Sequence, residues 1–117
     1  MGWKKELIKI VGTKVVEAAI KSGDKKHGSK VKDGAFKNCP IVMIGDEACI
    51  VVNESSGEIV SLTSEYVQSY EEYKKEQKRL VGVKVHTYYY YKITFRDGRK
   101  SYVRMRKKYR NAMKQYC

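Results

Sequence analysis

Apolar and polar side chains alternate with a period of two along residues 83–95. Val83, Val85, Thr87, Tyr89, Tyr91, Ile93 and Phe95 take one side, and Lys84, His86, Tyr88, Tyr90, Lys92 and Thr94 take the other. That alternation predicts a half-buried strand. The turn after it decides the register of the next strand. A two-residue Asp97-Gly98 loop would set Ile93 against Tyr102 and send Val103 and Met105 to the polar face. A three-residue loop, Arg96-Asp97-Gly98 with Gly98 left-handed, sets Tyr91 against Val103 and Tyr89 against Met105. Only the second unites the apolar sets, so a G1-bulge hairpin is predicted. Tyr109, Ala112, Met113 and Tyr116 then fall at helical spacing, which predicts a closing helix over 106–116 with one apolar stripe.

Upstream, the period is different. Residues 3–21 place Trp3, Leu7, Ile10, Val11, Val15, Ala18 and Ala19 near one face at i, i+3, i+4 spacing, which predicts an amphipathic helix ended by Ser22-Gly23. Residues 22–38 are polar, lysine-rich and hold three glycines, and so read as a linker. From residue 40 short apolar runs return. Residues 41–44, 48–53 and 58–62, joined by turns at Gly45-Asp46-Glu47 and Asn53–Gly57, predict a three-strand meander. The runs at 41–44 and 49–52 are apolar on both faces, so at least one of these strands is covered twice, with the N-terminal helix the candidate for the second cover. Residues 63–66 read as a brief turn, followed by a strand to about residue 74.

Charge sharpens the picture. The chain has 117 residues, 25 Lys and Arg against 13 Asp and Glu, and a net charge of +12. Residues 96–116 hold nine of the cations (Arg96, Arg99, Lys100, Arg104, Arg106, Lys107, Lys108, Arg110 and Lys114) and a single acid, Asp97. Such a stretch fits an acidic partner: nucleic acid, an anionic membrane face or an acidic protein. Tyr88, Tyr90 and Tyr102 would share the outer face of the hairpin with Lys92, Lys100 and Arg104. Exposed aromatics beside cations stack on bases, and the same pattern also fits cross-strand pairs that only stabilise the sheet. The candidate anion-binding residues are Lys92, Arg99, Lys100, Arg104, Arg106, Lys107 and Arg110. The candidate partner or membrane helix is marked by Trp3, Leu7, Ile10 and Val11.

Other chemistry finds little support. His27 and His86 lack a nucleophile and an orienting carboxylate at any recognisable spacing. Cys39, Cys49 and Cys117 form no close pair, which argues against a zinc site or a disulfide framework and for reduced, structural thiols. Phosphate-loop motifs are absent. The expectation is a non-enzymatic binding protein without metal or cofactor. Residues 2–10 mix Lys and Glu among apolar positions, unlike a signal peptide, and the span 7–20 is broken by Lys9, Lys14 and Glu17. A cytoplasmic protein, free or peripheral to the membrane, is expected.

The run Y-K-I-T-F-R-D-G-R-K-S-Y-V (91–103), followed by K-Y-R-N-A-M (108–113), resembles the C-terminal part of small bacterial pleckstrin-homology-like (PH-like) domains. L-T-S-E-Y-V-Q-S-Y (62–70) is similar to the strand–turn–strand segment before it. The resemblance covers roughly 40–116. It implies a bent antiparallel β-barrel capped by the C-terminal helix, and binding rather than catalysis. Lipid-binding members of the superfamily hold phosphoinositides with basic residues in the first strand–strand loop. Here that turn is Gly45-Asp46-Glu47, which is acidic and disfavours a headgroup there.

Together these readings predict an α+β chain: an N-terminal amphipathic helix (1–22), a basic linker (23–38), and a PH-like antiparallel β-roll with a C-terminal helix (39–117). The expected role is an interaction module with a basic surface, peripheral to the inner membrane face or within a protein assembly, with self-association through the N-terminal helix as one option. The alternative is a nucleic-acid-binding or phage-related interaction protein using the basic face of the C-terminal hairpin and helix.

Overall fold

The computed structural model describes residues 8–22, 28–79 and 85–117. In chain order the elements are β1 (Lys9–Ile10), α1 (Thr13–Ser22), β2 (Lys30–Gly34), β3 (Ile41–Ile44), β4 (Glu47–Asn53), β5 (Glu58–Ser61), β6 (Val67–Arg79), β7 (Val85–Phe95), β8 (Lys100–Met105) and α2 (Lys107–Tyr116). All strand pairs are antiparallel. They form two four-stranded sheets, ordered β1-β5-β4-β3 and β2-β8-β7-β6.

This architecture overturns the predicted α+β roll with a long N-terminal helix. Strand makes up 53% of the described residues, so the fold is mostly β with two short helices. Residues 9 and 10 pair with Ile59 and Glu58 as an edge strand rather than continuing a helix. Gly12, at φ 109, turns the chain between β1 and α1, a backbone state that a continuous helix excludes. Trp3 and Leu7 lie outside the described residues. Ile10 is 70% exposed on β1, and Val11 packs at the rim of the α1 cluster, so these two do not share a helix face.

The linker reading of 22–38 also fails in part. Residues 30–34 form β2, paired with β8, and Val31 is fully buried opposite Val103. Phe36 packs edge-on to Phe95 with ring centroids 5.6 Å apart. Ser101 Oγ donates to the Ala35 carbonyl at 2.6 Å, holding the segment after β2 against the sheet.

The meander β3–β4–β5 forms as expected, and its double burial has a clear cause. Alternate residues face two cores. Ile41, Ala48, Ile50 and Val60 face the second sheet, together with Val31, Ile93, Phe95, Val103, Met105 and Met113. Val42, Cys49, Val51 and Ile59 face α1, which seals them with Val16 and Ile20. The first sheet thus lies between a helix and a sheet, and α2 closes the main core with Ala112 and Met113.

The β7–β8 register is the predicted one. Tyr89 pairs with Met105, Tyr91 with Val103 and Ile93 with Ser101, and Gly98 has φ 94. The turn at 63–66 is present, closed by Tyr66 and Val67 N–H groups donating to the Thr63 carbonyl at 3.1 and 2.9 Å. The strand after it runs on to Arg79, past the expected end near 74. At 13 and 11 residues, β6 and β7 outreach β8, which has six. The molecule measures 48 Å along its longest axis, against 31 and 23 Å along the others.

Candidate anion-binding surface

The extended part of the β6–β7 hairpin meets the start of α2. On the inner face, the pairing of Lys75 with Tyr89 and Gln77 with Thr87 puts four side chains in a row. Arg106 ends the turn from β8, and Lys107 and Lys108 open α2. These seven residues line a concavity of about 420 Å³. Four of the seven are cations, the others are Gln, Thr and Tyr, and none is acidic. Arg106 is the N-cap of α2, it makes no side-chain cap hydrogen bond, and the first turn holds no acid. The first N–H groups of any helix lack intrahelical partners and carry partial positive charge, so this end adds to the cationic field.

Residues 28 and 29 fasten the base of the site. Arg104 Nη2 donates to the Gly28 carbonyl at 2.8 Å, and the Arg106 N–H donates to Ser29 Oγ at 3.0 Å. These two residues of the predicted linker therefore fix the chain between β8 and α2.

The outer face of the same sheet carries a second group of charges. Arg104 lies over the Tyr88 ring, its Cζ 4.6 Å from the centroid, with the Arg106 guanidinium 5.7 Å from the same ring. Tyr88 and Tyr90, expected to be exposed, are 2% and 9% exposed, because these cations and the neighbouring tyrosines cover them. Tyr90 donates its hydroxyl hydrogen to Glu76 Oε1 at 2.9 Å, and Lys74 and Lys78 pair with the same carboxylate at 3.6 and 3.8 Å. Burial first, then the bond to Glu76, pushes the Tyr90 hydroxyl up to about 12. The Lys32 ammonium is pushed below the ordinary lysine value by desolvation, then by the like charges of Arg104, Lys30 and Lys78, with Glu76 acting against them.

The predicted anion-binding residues divide into groups. Arg104, Arg106, Lys107 and Arg110 come together at the junction of β8 and α2. Arg99 and Lys100 sit at the other end of β8, about 17 Å away by strand rise. Arg99 Nε is bound to Asp97 at 2.8 Å and its guanidinium covers Phe36 at 4.7 Å, so it serves the turn. Lys92 lies mid-sheet between Glu71 and Tyr102. Arg110 is spent on Tyr89, its Cζ 4.2 Å from the ring centroid. Lys75, Gln77, Thr87 and Lys108 were absent from the predicted set. The alternation of K-K-E-Q-K-R at 74–79 carries the missing signal once β6 is continued through it.

The thiols Cys39, Cys49 and Cys117 are free. Cys49 is buried and its thiol is pushed up to about 11, chiefly by burial. Among the described residues, no group of three or more His, Cys, Asp or Glu side chains could hold a metal ion, and no helix is long and apolar enough to cross a membrane. No protein-family model matches the chain, and no curated protein or solved structure is significantly similar to it, so nothing identifies a PH-like domain.

Proposed function

We propose that the protein is a non-enzymatic module that binds the phosphate backbone of a nucleic acid at the junction of the β6–β7 hairpin and α2. The carrying observation is the concavity lined by Lys75, Arg106, Lys107 and Lys108 with no acid among its lining residues. Like charges crowded around one space repel, an anion seated among them relieves that repulsion, and a helix N-terminus beside them favours the same charge. Thr87, Gln77 and Tyr89 add side chains able to hydrogen-bond phosphate oxygens. The role expected first, a helix peripheral to the membrane, is less favoured, because Ile10 and Val11 lie on and just after an edge strand while Trp3 and Leu7 lie outside the described residues.

Fluorescence anisotropy with short labelled DNA or RNA at several salt concentrations tests this reading. The wild type should bind with a steep salt dependence. Lys75→Gln with Lys107→Gln and Lys108→Gln should weaken binding and reduce the slope of log K against log salt by about 2–3. Absence of nucleic-acid binding, with co-sedimentation on anionic vesicles that survives the three changes, would overturn the reading.

A further inference from the structure

The register of β6 against β7 shifts between Glu72 and Lys74, which leaves Tyr73 as an extra residue on the bulged strand. Bulges re-aim side chains and often stand beside functional sites. Tyr73 is 49% exposed on the outer face, the most solvent-exposed ring among the described residues. It stands between Tyr90 and Tyr102, with centroid separations of 6.1 and 6.0 Å and interplanar angles of 59° and 75°. Its contacts with the two rings stabilise the sheet, and the half of its surface left in water stays open to a ligand.

The surroundings are cationic. Lys74 is over Tyr90 at 4.9 Å, Lys32 and Lys30 come from β2, and Arg104 from β8. The acids on this face already have partners: Asp33 Oδ1 accepts the Gly34 N–H at 2.9 Å, and Glu76 is bound by Tyr90, Lys74 and Lys78. Arg104 is 9% exposed, and its Nε is a buried donor with no hydrogen-bond partner among the described residues. An exposed ring, Tyr73, beside a half-buried one, Tyr102, on a face where cations outnumber acids complements unpaired bases joined by phosphates. A duplex hides its base faces and offers nothing to such a ring.

We infer that this outer face binds single-stranded nucleic acid, with bases stacking on Tyr73 and Tyr102 and phosphates held by Lys32 and Lys74. This rests on the nucleic-acid reading and adds the strandedness of the ligand. Arg106 links the two surfaces, because it lines the inner concavity and also approaches Tyr88 on the outer face.

The test compares a labelled single strand with a hairpin duplex of the same sequence at one salt concentration. The wild type should prefer the single strand. Tyr73→Ala should weaken single-strand binding about tenfold, as loss of one stacked base does, and leave duplex binding unchanged. Tyr73→Phe should retain binding, and Tyr102→Ala should lower it further in combination. A urea melt that shows Tyr73→Ala fully folded under the binding conditions excludes unfolding as the cause. Wild-type affinity for single strands in the Tyr73→Ala, Tyr102→Ala protein would overturn the inference. In that case a loss on both ligands in the Lys75, Lys107 and Lys108 variant would leave the broader reading standing, whereas no wild-type binding to either ligand would remove both.

Discussion

Arg110 on α2 lies over Tyr89 on β7, its Cζ 4.2 Å from the ring centroid, so a cation predicted to face a partner instead fastens a helix to a sheet. Arg110→Ala should lower stability by about 0.5–1 kcal/mol, the range for partly exposed cation–π pairs. Its effect on oligonucleotide binding should be much smaller than that of Lys107→Gln with Lys108→Gln, which removes two repelling cations and should hold or slightly raise the denaturation midpoint. Urea melts and anisotropy on the two proteins check this separation of roles.

Gly98 and Gly57 both have positive φ, 94 and 77, yet their surroundings differ. A Cβ at Gly98 would meet nothing within 4 Å, so Gly98→Ala should cost only the left-handed backbone penalty of about 1–2 kcal/mol. A Cβ at Gly57 would come within 2.5 Å of the Gly12 backbone, where the Val11 N–H donates to the Gly57 carbonyl at 3.1 Å. Gly57→Ala should therefore be the more damaging change in a denaturant titration, and it should loosen β1 and α1 first.

Tyr90 makes the protein sensitive to alkali. Its hydroxyl, raised from 10.0 to about 12 by burial and by the bond to Glu76, keeps its proton in the folded state where an unfolded chain loses it. A folded value above the unfolded one gives stabilisation that is complete below pH 10 and is lost as pH rises through about 12. Tyr90→Phe should flatten this part of the stability–pH curve, and the phenolate absorbance of the variant should show one late-titrating group fewer than that of the wild type.

Val31 separates a strand from a linker. It is fully buried between the sheets, so Val31→Ala should cost about 2 kcal/mol through lost apolar contact and the cavity left behind. The neighbouring Lys32→Ala, exposed on the same strand, should change stability by less than about 0.5 kcal/mol. Equal, negligible effects at both positions in thermal melts would show that β2 is dispensable.

The hairpin of β7 and β8 was legible because two local signals agree there. Strict alternation names the faces, and the Arg96-Asp97-Gly98 loop chooses the register. The meander was legible for a related reason, since short doubly apolar runs between turn residues have few other solutions. Strand β2 was hidden because Val31 is a lone apolar residue among lysines and its partner, Val103, is more than half the chain away. At the N-terminus, the apolar positions between 7 and 20 suit a helix, and the break at Gly12 depends on contact with Gly57, which periodicity does not see. The candidate site suffered from one boundary. Ending β6 near 74 removed Lys75 and Gln77 from the face they share with Tyr89 and Thr87. Tyr88 and Tyr90 point outward as the alternation says, but the chain's own cations and tyrosines bury them.

The pairing of β2 with β8 also has a consequence for how the chain acquires its shape. The bond from the Ile41 N–H to the Ser29 carbonyl and the bridge between Lys30 and Pro40 join β2 to the first sheet, while its ladder belongs to the second. During synthesis the meander can assemble early, but Val31 waits for residues 101–104 to leave the ribosome. Until then one side of the meander has no cover, and closure requires a large loop to be drawn in at once. High contact order of this kind slows folding and prolongs the exposure of sticky edges. The newborn protein should thus depend on its last quarter, and truncations before Met105 should accumulate as aggregates rather than as smaller folded units.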